Sequence, residues 1–218
     1  MKKAFTMLEL IFVIAIVGIL AAVILPRTQT NPLQEAGAQL LSHIRYTQHL
    51  AFVDEKFDTN DSNWYKKRWQ LVFSSAAEAN NQPAYTIFSD TAGSSTGGAN
   101  VSEIALNPQN SSELMTGGYT GANALDITDP AFNGMKKLNL GMSYGVTSFN
   151  LSGGCNNNRI AFDSVGRPMQ GDQSTMTSPY GNSRLITNDC NVTISDGTNN
   201  LVIVVRPETG YASIVQYQ

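Results

Sequence analysis

The chain has 218 residues, 42% of them hydrophobic and only 14% charged, with a formal net charge of −3. That length carries one ordinary domain plus an appendage and suffices to bury a core, and the hydrophobic content excludes wholesale disorder. Two cysteines exclude a disulfide-dense mini-scaffold and a four-cysteine zinc site, and a pI near 5.3 argues against a protein that coats nucleic acid.

The apolar residues concentrate at the start. Phe5 to Leu25 is a run of 21 residues, 18 of them apolar. As a helix it would cover roughly 30 Å, the hydrocarbon thickness of a bilayer. Lys2 and Lys3 precede it, so the positive-inside rule predicts a single pass through the inner membrane with the head in the periplasm. Pro26 closes the run, since it lacks an N–H and crowds the preceding turn. The run is too long for the apolar core of a secretory signal, and no A-x-A cleavage pattern follows it. A plain anchor leaves Glu9 unexplained, because an acidic side chain within an apolar helix costs about 3 kcal/mol and usually has a partner.

MKKA followed by FTMLELIFVIAIVGILAAVILP resembles the class III signal and N-terminal helix of type IV pilins and type II secretion pseudopilins. The resemblance implies leader cleavage between Ala4 and Phe5 by a prepilin peptidase, N-methylation of Phe5, and subunit assembly through Glu9. It also implies helix weakening at Gly18 and a kink at Pro26. Ala4 departs from the glycine usual in the family. The implied partners are other pilins or pseudopilins in a hetero-oligomeric filament, the peptidase, an inner-membrane assembly platform, and membrane lipid before assembly. Cleavage would leave a cationic amine at Phe5. Pairing it with Glu9 of a neighbouring subunit removes two unpaired charges from a low-dielectric layer and sets the axial register.

The expected organisation is a leader at 1–4, a transmembrane and filament-core helix at 5–25, the outer half of that helix at 26–54, and a β-rich periplasmic head at 55–218. Residues 28–32 (TQTNP) interrupt the helix. Leu33, Gly37, Leu40, Leu41, Ile44 and Ala51 then recur at helical steps, a stripe that packs on a sheet. His43 and His49 lie six residues apart, on different faces, and are assigned to solvated surface rather than a zinc pair. Beyond Asp54, strands are predicted at 69–74, 85–88, 159–165, 191–194, 201–206 and 211–216, with Asp196-Gly197 as a hairpin turn. Alternating Trp69, Leu71 and Phe73 predict one buried face, and the stretch 89–158 reads as long loops with short strands. The fold class expected is α+β: a long N-terminal helix, membrane-spanning in its apolar first half, packed on an antiparallel sheet.

RIAFDSVGRP (159–168), LVIVVRPETG (201–210) and the helix AQLLSHIRYTQHLAF resemble segments of H-type minor pseudopilins and related minor pilins. That resemblance implies a low-copy subunit. The tail YASIVQYQ lacks the basic residue that some relatives are thought to use in holding DNA.

Cys155 and Cys190 are expected to form a structural disulfide, with buried free thiols as the alternative; C-x-x-C redox spacing is absent. Gly93 to Gly97 matches G-x-S-x-G literally, but both histidines lie upstream. Asp58, Asn60 and Ser62 imitate the start of a calcium loop without its glycine or final glutamate. Lys66, Lys67 and Arg68, set among aromatics, offer a nucleic-acid patch, against a solvated strand rim as the alternative. Two D-x-N-x-S/T stretches, 58–62 and 189–193, suit bacterial N-glycosylation. The function expected is a minor pilin-like structural subunit of a type II secretion or type IV pilus filament, without catalytic residues, metal or cofactor and with nucleic acid not expected as a partner. The alternatives are a DNA-binding minor pilin of a competence filament and a membrane-anchored periplasmic enzyme.

Overall fold

The computed structural model describes residues 6–24, 31–93, 97–181 and 183–217. They fall into two units divided at Asn31/Pro32. The first is a helix, α1 (Met7–Ile24), whose 18 residues are apolar except for Glu9 and Gly18. At about 1.5 Å per residue it reaches about 27 Å, short of a hydrocarbon layer of about 30 Å. Among the described residues no helix is long and apolar enough to cross a membrane. This corrects the membrane-spanning first half in the expected fold class, and with it the single-pass inner-membrane location.

The second unit is α+β with antiparallel sheets. It begins with α2 (Pro32–Val53), opened by a proline whose missing N–H costs nothing in a first turn. Leu33, Ala36, Gly37, Leu40, Ile44, Thr47 and Ala51 make its buried stripe. Gly37 is required there, because a Cβ would overlap the Leu201 side chain. The strands are β1 (Trp69–Ser74), β2 (Ala84–Ser89), β3 (Leu106–Asn107), β4 (Asn110–Leu114), β5 (Ser148–Gly153), β6 (Arg159–Phe162), β7 (Pro168–Gln170), β8 (Cys190–Ser195), β9 (Asn200–Val205) and β10 (Ala212–Tyr217), with a short helix α3 (Leu140–Tyr144) before β5. They form two four-stranded sheets, ordered β2-β1-β6-β7 and β10-β9-β8-β5, and a β3–β4 hairpin. The helix α2 packs on β1 and β6 of the first sheet and on β8 to β10 of the second, so one apolar stripe serves both.

The second sheet follows simple alternation. Cys190, Val192 and Ile194 of β8 point inward while Asn191, Thr193 and Ser195 are half-buried. Its β8–β9 turn is held by Asp196, whose Oδ1 accepts from the Thr198 and Asn199 amides at 2.8 and 2.6 Å, with Gly197 at φ +94°. The first sheet departs from the expected one-sided burial. Gln70 and Val72 are as buried as Leu71 and Phe73: Gln70 pairs with Ala161, which belongs to a second cluster with Tyr65, Met169 and Met176, and Val72 joins the main core. Between 89 and 158 the chain forms β3, β4, α3 and β5. In β5 only Leu151 is buried, too little pattern to mark an edge strand. Cys155 and Cys190 form a disulfide with Cα atoms 5.1 Å apart, tying the segment after β5 to the start of β8.

Candidate functional site

The assembly residues expected from the sequence fall on or beside α1. Ala4, Phe5 and Pro26 lie outside the described residues; Glu9 and Gly18 lie within them. Consecutive residues on a helix are separated by 100°, and Leu10, Ile11, Phe12, Val13 and Ile14 are each about half exposed or more. The helix therefore presents apolar side chains around its whole circumference. A Cβ on Gly18 would meet no atom within 4 Å, so packing within the helix itself does not require glycine there.

Glu9 has a local role that the sequence reading missed. Its Oε2 accepts from the Thr6 amide and the Thr6 hydroxyl, both at 3.3 Å, and the Glu9 amide donates to Thr6 Oγ1 at 3.3 Å. This is a capping box, legible as T-x-x-E at positions 6–9. The anion also sits at the positive end of the helix dipole. Within one chain Glu9 thus seals the helix start.

The two strand-and-turn segments singled out in the sequence meet in space. Gln48 of α2 donates through Nε2 to the Gly166 carbonyl at 2.9 Å and to the Thr209 carbonyl at 2.8 Å. Asp163 builds the first turn: its Oδ1 accepts from the Val165 and Arg167 amides at 3.2 and 2.8 Å, and its Oδ2 pairs with Arg167 Nε at 2.8 Å. One helix side chain therefore fixes both loops.

The three cations 66–68 are not gathered on one exposed surface. Lys67 pairs with Asp61 at 2.7 Å. Arg68 is buried. Its guanidinium lies 5.2 Å from the Trp64 ring centre and 5.1 Å from that of Tyr180, and its Nη1 donates to the Pro179 carbonyl at 2.7 Å. Only Lys66 keeps a half-exposed ammonium with no ion pair among the described residues. His43 is also not the surface group expected. Its Nδ1 stands 2.6 Å from the hydroxyl of fully buried Tyr85, which Gln39 Nε2 also reaches at 2.9 Å. Burial pushes the His43 pKa down to about 4. The imidazole is therefore neutral near pH 7, with Nδ1 free to accept the phenolic proton. His49 is exposed, as expected.

Around Asp58 the backbone closes on itself, with Asp58 Oδ1 accepting from the Asn60 amide at 2.8 Å. No group of three or more metal-ligating side chains occurs among the described residues. Residues 94–96 of the G-x-S-x-G match lie outside them. Comparison with protein-family models, with characterised proteins and with solved structures finds no match.

Proposed function

We propose that the chain is a minor pilin-like (pseudopilin) structural subunit of a type II secretion or type IV pilus filament, rather than an enzyme. The observation that carries this is α1, a helix that presents large apolar side chains around its whole circumference. Such a helix persists only where other apolar surface surrounds it, and each large side chain so covered contributes about 1.5–3 kcal/mol. The equivalent helices of neighbouring subunits supply that cover. A prepilin peptidase cuts between Ala4 and Phe5, Phe5 is N-methylated, and the new amine pairs with Glu9 of an adjacent subunit. Register follows, because any other offset strands both charges. The head, fixed to α2 by its stripe, is displayed to partners.

Two variants separate inter-subunit pairing from helix capping. Thr6→Val removes the hydroxyl that caps the residue-9 amide and keeps the carboxylate; Glu9→Ala keeps that hydroxyl cap and removes the carboxylate. In co-purification of the full chain with its partner subunits from the native host, Glu9→Ala is expected to lower recovery about tenfold, and Thr6→Val to stay near wild type. Equal loss in both variants, or undiminished recovery of Glu9→Ala, overturns the pairing. Mass spectrometry of native material that finds Met1 still attached overturns the processing.

A further inference from the structure

We propose that Asn60 is an acceptor for asparagine-linked glycosylation from a lipid-diphosphate-linked oligosaccharide. The inference concerns the head alone and does not depend on α1. Five Asn-x-Ser/Thr triplets occur, at Asn60, Asn100, Asn110, Asn150 and Asn191. The bacterial acceptor pattern D/E-x-N-x-S/T adds an acid two residues before the asparagine. Of the five, only Asn60, after Asp58, and Asn191, after Asp189, have one.

The fold separates these two. Asn191 lies in β8, opposite Ser152 of β5 on one side and Val204 of β9 on the other. It is half-buried and follows Cys190 of the disulfide. A neighbouring strand would have to leave before a transferase could take it up. Asn60 lies in the stretch 54–63, outside any helix or strand, and Asp58, Asn60 and Ser62 are all exposed. The Asp58 carboxylate accepts from the Asn60 amide at 2.8 Å, and the Asp61 amide donates to the Asp58 carbonyl at 3.2 Å. These bonds use main-chain donors only. Among the described residues neither the Asn60 carboxamide nor the Ser62 hydroxyl has a hydrogen-bond partner. The flanks hold the loop in shape: Phe57 meets Trp64 edge-on with ring centres 5.2 Å apart, and Asp61 pairs with Lys67 at 2.7 Å. The three groups of the pattern are therefore open to an enzyme in the folded head.

The chemistry needs those groups free. In the donor, the anomeric carbon of the first sugar is joined through a C1–O bond to a polyisoprenyl diphosphate. The Asn60 carboxamide nitrogen attacks that carbon, the C1–O bond breaks, and the polyisoprenyl diphosphate leaves with the electron pair. The nitrogen gives up one proton to solvent, and an N–C1 bond remains. Resonance makes an amide nitrogen a poor nucleophile, so the enzyme has to turn the carboxamide, which a side chain bonded into its own fold resists. The Asp58 carboxylate offers an anion to a cationic group of the transferase. The Cys155–Cys190 bond agrees with the compartment, since disulfides persist outside the reducing cytosol, where lipid-carried glycans meet exported protein.

The test is mass spectrometry of reduced tryptic peptides from the full chain, purified from its native host. The peptide 57–66 (FDTNDSNWYK) is expected to carry a mass increment that releases sugar fragment ions, and the peptide 185–218, which holds Asn191, to carry none. Asn60→Gln should remove the increment. Asp58→Asn keeps an oxygen for the Asn60 amide and removes the charge; it and Ser62→Ala should each lower occupancy about tenfold, while Ser62→Thr should stay near wild type. An unmodified 57–66 peptide in the native protein overturns the proposal, as does undiminished occupancy in Asp58→Asn. An increment localised to another residue of that peptide, or to Asn191 alone, overturns the assignment to Asn60.

Discussion

The Gly166 carbonyl oxygen occupies the space that a Cβ on Gly210 would need. The turn after β6 and the turn after β9 therefore touch backbone to backbone, and Gln48 bonds both. Gly210 also sits at φ +63°, a left-handed conformation that L side chains resist.

Gly210→Ala should cost about 2–4 kcal/mol of stability through strain and overlap together. Gly145 is a built-in control. It has a similar φ of +69° but open space where a Cβ would stand, so Gly145→Ala should cost only about 1 kcal/mol. Gln48→Ala, which leaves two carbonyls without a donor, should cost about 1–2 kcal/mol. Urea midpoints of the three variants measure this ordering; equal losses for the two glycine variants would remove the close approach as a cause.

His43 predicts a pH dependence with a definite sign. Its pKa is held down to about 4 in the fold, against about 6.5 in an unfolded chain. Between those values the unfolded state binds more protons, so stability falls as pH falls from about 6.5 toward 4 and levels off below. The loss by pH 4.5 should be about 2.5 kcal/mol. His43→Gln keeps an acceptor near Tyr85 without a titrating ring. Urea midpoints at pH 7.5 and 4.5 should converge in that variant, and an unchanged difference would assign the acid sensitivity elsewhere.

Arg68 is a structural cation, and a lysine cannot replace it. The guanidinium stands within 5.2 Å of the ring centres of both Trp64 and Tyr180 and still reaches the Pro179 carbonyl; an ammonium is a point charge without a plane to stack on rings. Arg68→Lys should cost about 1–3 kcal/mol. Lys67→Ala, which breaks a part-exposed pair with Asp61, should cost less than about 1 kcal/mol. Thermal denaturation orders the two, and the reverse order would return these cations to a surface role.

Local chemistry made much of this protein readable from its residues. The α2 stripe, the β1 strand with its bounds at Trp69 and Ser74, the Asp196-Gly197 hairpin and the Cys155–Cys190 bond all rest on periodicity, turn preference or cysteine count. The Thr6–Glu9 capping box was equally local, yet a glutamate in an apolar run drew attention to distant charges instead. Length and hydropathy alone suggested a membrane span, whereas the described helix covers Met7–Ile24 and falls short of one. Only tertiary structure decided the fate of groups whose environment comes from far along the chain. His43 is half-buried and bonded to Tyr85, 42 residues away, and Arg68 is caged partly by Tyr180. Gln48 joins turns 118 and 161 residues further on. A side chain's spacing fixes which face of its own helix or strand it occupies, but burial and partnership depend on what packs against that face.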